Sequence, residues 1–390
     1  MRTTPLKRIA AINQRALPED TDPARDIRYI DISSVGRGEL VATPEAMTFG
    51  SAPSRARRLV QPGDTIVSTV RTYLRAVWPV SDDTKDLVVS TGFAVVTPHA
   101  VDARYLSWWI RSDTFIEEVV ARSVGVSYPA INSSELGDLK VRVPGLAQQR
   151  AIADFLETET ARIDALITKK RRMLVLLEER VDSRVRVLIG TSPLFGGRGL
   201  EAVPLRRVLS KQERWSNGGE MVTAFRDGEV TRRSARGRDG FTNVWTDNGR
   251  VQRVEVGDVV VHGLDGFSGA IGDAQLSGVC SPIYHVCRAR DGDGAFYGRL
   301  LRILAIDGYL GGFATSTRER AVDFRNWDLF GRIPVPRVST DEQRRIGDDI
   351  RKIRPLRQRI QLSENLAVEH RQALITATVT GELAVPGVAA

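Results

Sequence analysis

The chain repeats itself, and the repeat dictates its architecture. TPLKRI (Thr4–Ile9) returns as VPLRRV (Val203–Val208), and VQPGDTIVS (Val60–Ser68) returns as VEVGDVVVH (Val254–His262). DLKVRVP (Asp138–Pro144) returns as DLFGRIP (Asp328–Pro334), and QQRAI (Gln148–Ile152) as EQRRI (Glu342–Ile346). Any one of these matches is weak. Four in the same order, each about half a chain apart, require two tandem copies of one plan.

Each copy has two parts. Residues 1–144 and 191–336 read as mixed globular domains; residues 145–190 and 337–390 read as helical. In the first domain the β-branched runs Arg28–Ser33, Asp64–Val70 and Leu87–Pro98 predict strands. Asp102–Ser123 predicts one helix with Asp102 as its N-cap. The second domain predicts strands near Glu220–Phe225, Asp258–His262 and Gly278–Arg288, and a helix near Ala295–Tyr309.

Between Pro144 and Pro193 a helix can run from about Ala147 to Leu188, ~60 Å at ~1.5 Å per residue. Its apolar pattern is heptad. Leu156, Ile163, Lys170, Leu177 and Arg184 form one seam; Thr160, Ile167, Leu174, Val181 and Leu188 form the other. A stripe of that length needs a second long helix, and the segment Asp341–Val379, which carries Leu374, supplies it. Pro355 is expected to kink or break the early part of that segment. The turn-rich GTSPLFGGRG (Gly190–Gly199) joins the halves. The expected fold class is therefore α+β: two pseudo-symmetric globular α/β domains separated by two long helices that form an antiparallel coiled coil.

Composition narrows the chemistry. The chain has 390 residues, 42% apolar and 27% charged, enough for real cores and too rich for disorder. Net charge is +8, which fits a polyanionic partner, although 49 of the 56 basic residues are Arg, a skew that base composition alone can produce. Two cysteines, Cys280 and Cys287, form neither a metal-binding CxxC nor a disulfide framework. The start, MRTTPLKRIA, lacks the apolar run of an export signal, and no stretch of ~18 apolar residues exists, so a cytoplasmic protein with no membrane association is expected. There is no GxxxxGK[ST], HExxH or GxSxG, and the four histidines are scattered. Asp138-Leu139-Lys140 and Asp83-Thr84-Lys85 have an acid two before a lysine, as some nucleases do. The spacing is common by chance, and Phe330 stands where the second copy would need the lysine. No catalytic residue and no metal ligand is assigned.

The helical segments VPGLAQQRAIADFLETETARIDALITKKRRMLVLLEER (Val143–Arg180) and HRQALITATVTGEL (His370–Leu383) resemble those of the specificity subunits of type I restriction–modification systems. The resemblance covers essentially the whole chain. It implies a non-catalytic, sequence-specific DNA-binding subunit in a bacterial or archaeal cytoplasm. Two target-recognition domains would read an asymmetric, bipartite site in double-stranded DNA, and the helical pair would set the spacer. The implied partners are two adenine methyltransferase subunits and the motor-nuclease (restriction) subunits. S-adenosylmethionine, ATP and Mg would belong to those partners, with no cofactor in this chain. The alternatives are a stand-alone DNA nuclease or methyltransferase, against which the missing motifs argue, and a coiled-coil adaptor unrelated to DNA.

Candidate DNA contacts follow from loops rich in Arg, aromatic and small residues. In the first domain they are Arg71, Tyr73 and Arg75 in RTYLR, with Ser127 and Tyr128 in SVGVSYPA. In the second they are Arg232, Arg233, Arg236 and Arg238 in TRRSARGRDG, His262 and Phe267 in HGLDGFS, and Ser316, Arg318 and Arg320 in TSTRER. Trp108 and Trp109 read as helix-face packing. Coiled-coil or partner contacts are assigned to Leu156, Ile163, Ile167, Leu174, Leu177, Val181, Leu188 and Leu374.

Overall fold

Within each unit, two of the repeated motifs pair with each other. The computed structural model describes residues 3–80, 83–190, 200–236, 250–313 and 324–386. It divides into two units, Met1–Thr168 with Ser363–Ala390, and Lys169–Leu362.

The first unit holds strands β1 (Thr3–Pro5), β2 (Ala10–Ile12), β3 (Asp26–Ile30), β4 (Glu45–Thr48), β5 (Ala56–Leu59), β6 (Thr65–Ser68), β7 (Val77–Pro79), β8 (Leu87–Ser90), β9 (Phe93–Pro98) and β10 (Lys140–Arg142). Its helices are α1 (Ala103–Arg111), α2 (Asp113–Arg122), α3 (Ser133–Asp138) and the first part of α4 (Leu146–Ile189). One sheet has the order β2-β9-β6-β7 and is antiparallel throughout. Another has the order β4-β3-β8-β5, with β3 and β8 parallel. Leu6, Tyr105, Leu106, Phe115, Leu156, Ile375 and Val379 share one core.

The second unit holds β11 (Ala202–Pro204), β12 (Leu209–Lys211), β13 (Trp215–Ser216), β14 (Val222–Ala224), β15 (Val230–Arg232), β16 (Val251–Val254), β17 (Val259–His262), β18 (Ile271–Asp273), β19 (Gly278–Cys280), β20 (Tyr284–Ala289) and β21 (Pro334–Pro336). Its helices are α5 (Leu205–Val208), α6 (Gly294–Ile306), α7 (Trp327–Phe330), the rest of α4, and α8 (Thr340–Thr380) as far as Leu362. Its main sheet, β12-β20-β17-β18, is antiparallel and matches the β2-β9-β6-β7 sheet strand for strand.

Each repeated motif makes the same bonds in its own unit. β1 pairs β10 and β11 pairs β21, so the TPLKRI and DLKVRVP motifs and their copies close each unit. Leu6 N–H donates to the Leu139 carbonyl at 2.8 Å, and Leu205 N–H to that of Ile333 at 2.9 Å. In the Gly-Asp turns, the buried Asp64 binds Arg15 and accepts from Gln61 N–H at 2.8 Å. The buried Asp258 binds Arg214 and accepts from Glu255 N–H at 2.8 Å. Gln149 and Gln343, both buried, accept from the backbone N–H of the helix-capping Asp102 and Asp293 at 2.8 and 3.2 Å. A buried polar group must be satisfied, so these four motifs are held by internal chemistry alone.

The Asp102 N-cap is present and accepts from Arg104 and Tyr105 N–H. Three expectations need correction. The helix predicted over Asp102–Ser123 is two helices. Ser112 breaks it by accepting from Phe115 N–H, while Asp113 N–H donates to Thr376 Oγ1 at 3.0 Å instead of to a helix carbonyl. The run Leu87–Pro98 is likewise two strands in two different sheets, as is Gly278–Arg288. Pro355 does not break α8, which runs unbroken for 41 residues. Its ring lies on the exposed side, while Ile353 packs into the core and Arg354 and Arg357 bind Asp273 and Glu178. A solvent-side proline costs a helix least because the bond it deletes is the one water can replace.

Every position of the two heptad seams is buried or half-buried. In the first unit Asp164 binds Arg371 of α8 at 2.8 Å. In the second, Glu178 binds Arg357 and Arg184 binds Asp349, so α8 recedes as α4 advances and the helices are antiparallel there.

Candidate nucleic-acid interface

In the first unit, the residues after β6 form a single turn of helix, Thr72–Leu74, flanked by Arg71 at φ 54° and Arg75 at φ 55°. Left-handed backbone at two non-glycine residues costs about 1 kcal/mol or more each and needs outside support. Arg71 N–H donates to the Pro129 carbonyl at 2.8 Å, Thr72 and Ser123 hydroxyls lie 2.8 Å apart, and Arg75 binds Asp113 at 2.8 Å. The turn thus held presents Tyr73, 54% exposed, and Leu74.

A second loop packs beside it. Val124 and Ala130 exchange backbone hydrogen bonds at 2.9 and 3.0 Å, and Ile131 N–H donates to the Thr69 carbonyl at 3.0 Å. Gly125 at φ 121° lets the loop reverse. Its crest is Val124, Val126, Ser127 and Tyr128, all exposed. The Arg71 guanidinium lies 4.7 Å from the Tyr128 ring centre, a cation–π contact. Arg71, Tyr73, Ser127 and Tyr128 therefore form one surface. Arg75 is committed to Asp113 and positions the turn. Val124, Val126 and Leu74 join the surface although only the Arg, Ser and Tyr of these loops were singled out above; valines in a Gly- and Ser-bearing loop were the signal. Trp108 and Trp109 are buried, as expected of packing residues.

In the second unit the segment between β17 and β18 occupies the equivalent place. His262 Nδ1 accepts from Leu264 N–H at 3.2 Å and Asp265 N–H at 3.1 Å, and its ring lies 4.5 Å from Tyr284. Burial pulls the His262 imidazole down from its usual range against the pull of Asp265. Phe267 is half-buried against the unit's core. These two residues hold the loop from within, and Leu264 is the exposed one. Arg232 binds Glu220 at 2.9 Å, and Arg233 N–H donates to the Met221 carbonyl at 2.9 Å. Arg238, Ser316, Arg318 and Arg320 lie outside the described residues, as does the side chain of Arg236.

The helix residues assigned to coiled-coil or partner contacts face inward. Leu156, Ile167 and Val181 are buried, and Ile163, Leu174, Leu177, Leu188 and Leu374 half-buried. Leu156 and Leu374 pack in or against the first unit's core, and Val181, Leu174, Leu177 and Leu188 in or against the second unit's. The apolar side chains left for a partner are others on the same helices, including Leu166, Met173, Leu176, Leu362 and Leu366.

The Asp-x-Lys pairs have structural roles: Asp138 binds Lys7, and Asp83 binds Arg28 at 2.8 Å. Both cysteines are buried, and burial pushes their thiols far up, which disfavours the thiolate form. Among the described residues no three His, Cys, Asp or Glu side chains gather as a metal site, and no helix is long and apolar enough to cross a membrane.

Residues 7–174 match the type I restriction modification DNA specificity domain. A solved structure described as the basis of complex assembly and conformational transition of the type I R-M system aligns over 98% of both chains at 20% identity, with a TM-score of 0.67, and shows the same fold. The HsdS subunit from Thermoanaerobacter tengcongensis (20% identity, 98% of this chain and 97% of that one, TM-score 0.47) is also similar. So is a type I restriction–modification S subunit from M. genitalium (13% identity, 97% and 95%, TM-score 0.46). No curated protein matches the chain.

Proposed function

We propose, from the match of residues 7–174 to the type I restriction modification DNA specificity domain, that the chain is a non-catalytic specificity subunit and that each unit reads one half of a split target in double-stranded DNA. One observation carries this reading for the first unit. Arg71, Tyr73, Ser127 and Tyr128 stand exposed on loops that backbone hydrogen bonds tie together. Side chains held that way enter a groove at little entropic cost, the guanidinium meeting base edges or phosphates and the rings the sugars. In the second unit Arg232 and Arg233 belong to the same reading.

The chemistry done at the target belongs to partners. Methyltransferase subunits would seat on exposed apolar side chains of α4 and α8 and bring S-adenosylmethionine; motor-nuclease subunits would bring ATP and Mg. Sequencing the methylome of a host carrying the genes tests the proposal. The expected result is methylated adenine in both halves of a split motif, and a duplex bearing that motif shifted by the purified complex in preference to a scrambled one. A complex that binds both duplexes alike overturns it.

A further inference from the structure

The surface of Arg71 and Tyr128 continues onto a third loop. Thr69 N–H donates to the Gly92 carbonyl at 2.8 Å, and Thr69 Oγ1 to the same carbonyl at 2.9 Å. Thr91 N–H donates to the Arg55 carbonyl at 2.8 Å. With the bonds from Ile131 to Thr69 and from Arg71 to Pro129, these connect Arg55 through 90–92 to residues 69–75 and 123–131 along one rim. The turn at Gly92 is seated against the core: a Cβ there would lie 2.6 Å from the Ile32 side chain.

Two of the unit's exposed arginines lie on this rim without a carboxylate partner among the described residues, as Arg8 and Arg25 do elsewhere. Most arginines of the unit are spent on carboxylates: Arg15 on Asp64, Arg28 on Asp83, Arg37 and Arg75 on Asp113, Arg104 on Asp154. Among the described residues neither Arg55 nor Arg71 has a carboxylate partner, and both are exposed. An exposed cation with no carboxylate partner, on a segment whose backbone is bonded to the turn at Gly92, is available to a polyanion. The second unit repeats the placement. Arg250 immediately precedes β16 as Arg55 precedes β5, and it lies 5.5 Å from the exposed Trp215 ring centre.

We infer that Arg55 is a phosphate-binding residue for one DNA strand. It holds the backbone while the loops of Arg71, Tyr73 and Tyr128 meet the groove. The inference rests on the DNA-reading surface proposed above and adds a contact that carries affinity without sequence information.

The test uses the full chain in its purified complex. Two duplexes of equal length, one bearing the site mapped from the host methylome and one scrambled, are titrated across a salt series. Arg55→Ala is expected to weaken both by a similar factor, ~5-fold, and to flatten the dependence of log K on log salt by about 1. Arg55→Lys retains the charge and is expected to restore both. The backbone carbonyl that binds Thr91 is untouched, so the melting temperature is expected to stay at the wild-type value. If Arg71→Ala weakens binding but Arg55→Ala stays within about twofold of wild type, the assignment is overturned. A loss confined to the specific duplex overturns it as well, because that marks a base contact. A wild-type complex that does not distinguish the duplexes overturns the underlying reading and the assignment together.

Discussion

The Arg71 guanidinium lies 4.7 Å from the centre of the Tyr128 ring, joining the end of one strand to the crest of a distant loop. An exposed cation–π contact of this kind is worth about 0.5–1 kcal/mol, enough to order two side chains and too little to fold a domain. Tyr128→Ala is therefore expected to leave the melting temperature unchanged and to reduce affinity for target DNA by ~5-fold or more, as base or sugar stacking is lost with the ring. Fluorescence anisotropy measures it. Tyr128→Phe keeps the ring and should bind like wild type; equal losses in both variants would mean the hydroxyl is what matters.

Glu178 on α4 receives two guanidinia, Arg299 of α6 and Arg357 of α8. Burial alone would raise its carboxyl, but the two cations outweigh burial and hold it below its usual range. Glu178→Ala leaves both cations without that partner in a largely buried site. The expected cost is about 3 kcal/mol to the second unit, seen as faster hydrogen exchange in α6. Unchanged protection would show that Asp182, which binds Arg299 at 3.0 Å, suffices.

Pro355 sits exposed inside a continuous helix. Alanine there restores a backbone donor and removes an intrinsic helix penalty of about 3 kcal/mol, part of which the present structure has already absorbed. Pro355→Ala is expected to raise the melting temperature by a few degrees, at ~2–4 °C per kcal/mol. A lower temperature would mean that the ring itself makes packing contacts the variant cannot replace.

Acid should loosen the second unit. His285 packs against Trp327 and Phe330, each ring centre 5.4 Å away, with Nε2 on the Phe324 carbonyl and Nδ1 buried without a hydrogen-bond partner among the described residues. Burial lowers its pKa from 6.5, as it does for His262. The unfolded chain therefore takes up protons that the folded unit refuses. Stability from these groups is complete above 6.5 and falls as pH drops below it, by up to about 1.4 kcal/mol per pH unit for each histidine. Urea midpoints between about pH 7.5 and 5.5 report the slope, and His285→Phe should roughly halve it. A flat wild-type profile would contradict the assignment.

The duplicated plan, the heptad seams from Leu156 to Leu188 and the Asp102 cap are legible in the residues because each depends on neighbours along the chain: a period, a spacing, a side chain reaching two or three positions ahead. Arg71, Tyr73 and Tyr128 were legible as residue types in loops. Their meeting was not, because it depends on Thr69, Pro129 and Ile131 being brought together by strand pairing.

By itself, then, the sequence determined which faces are buried and how many times the plan is used. Tertiary structure alone decided that Ser112 ends one helix and starts another, since the acceptor replacing the lost carbonyl is Thr376, far along the chain. It also decided that Leu87–Pro98 divides between two sheets, that α8 passes through Pro355, and that Arg75 binds Asp113. Local pattern encodes whether a residue prefers water, but a hydrogen bond or ion pair needs a particular partner within ~3–4 Å, and only the folded chain supplies that distance.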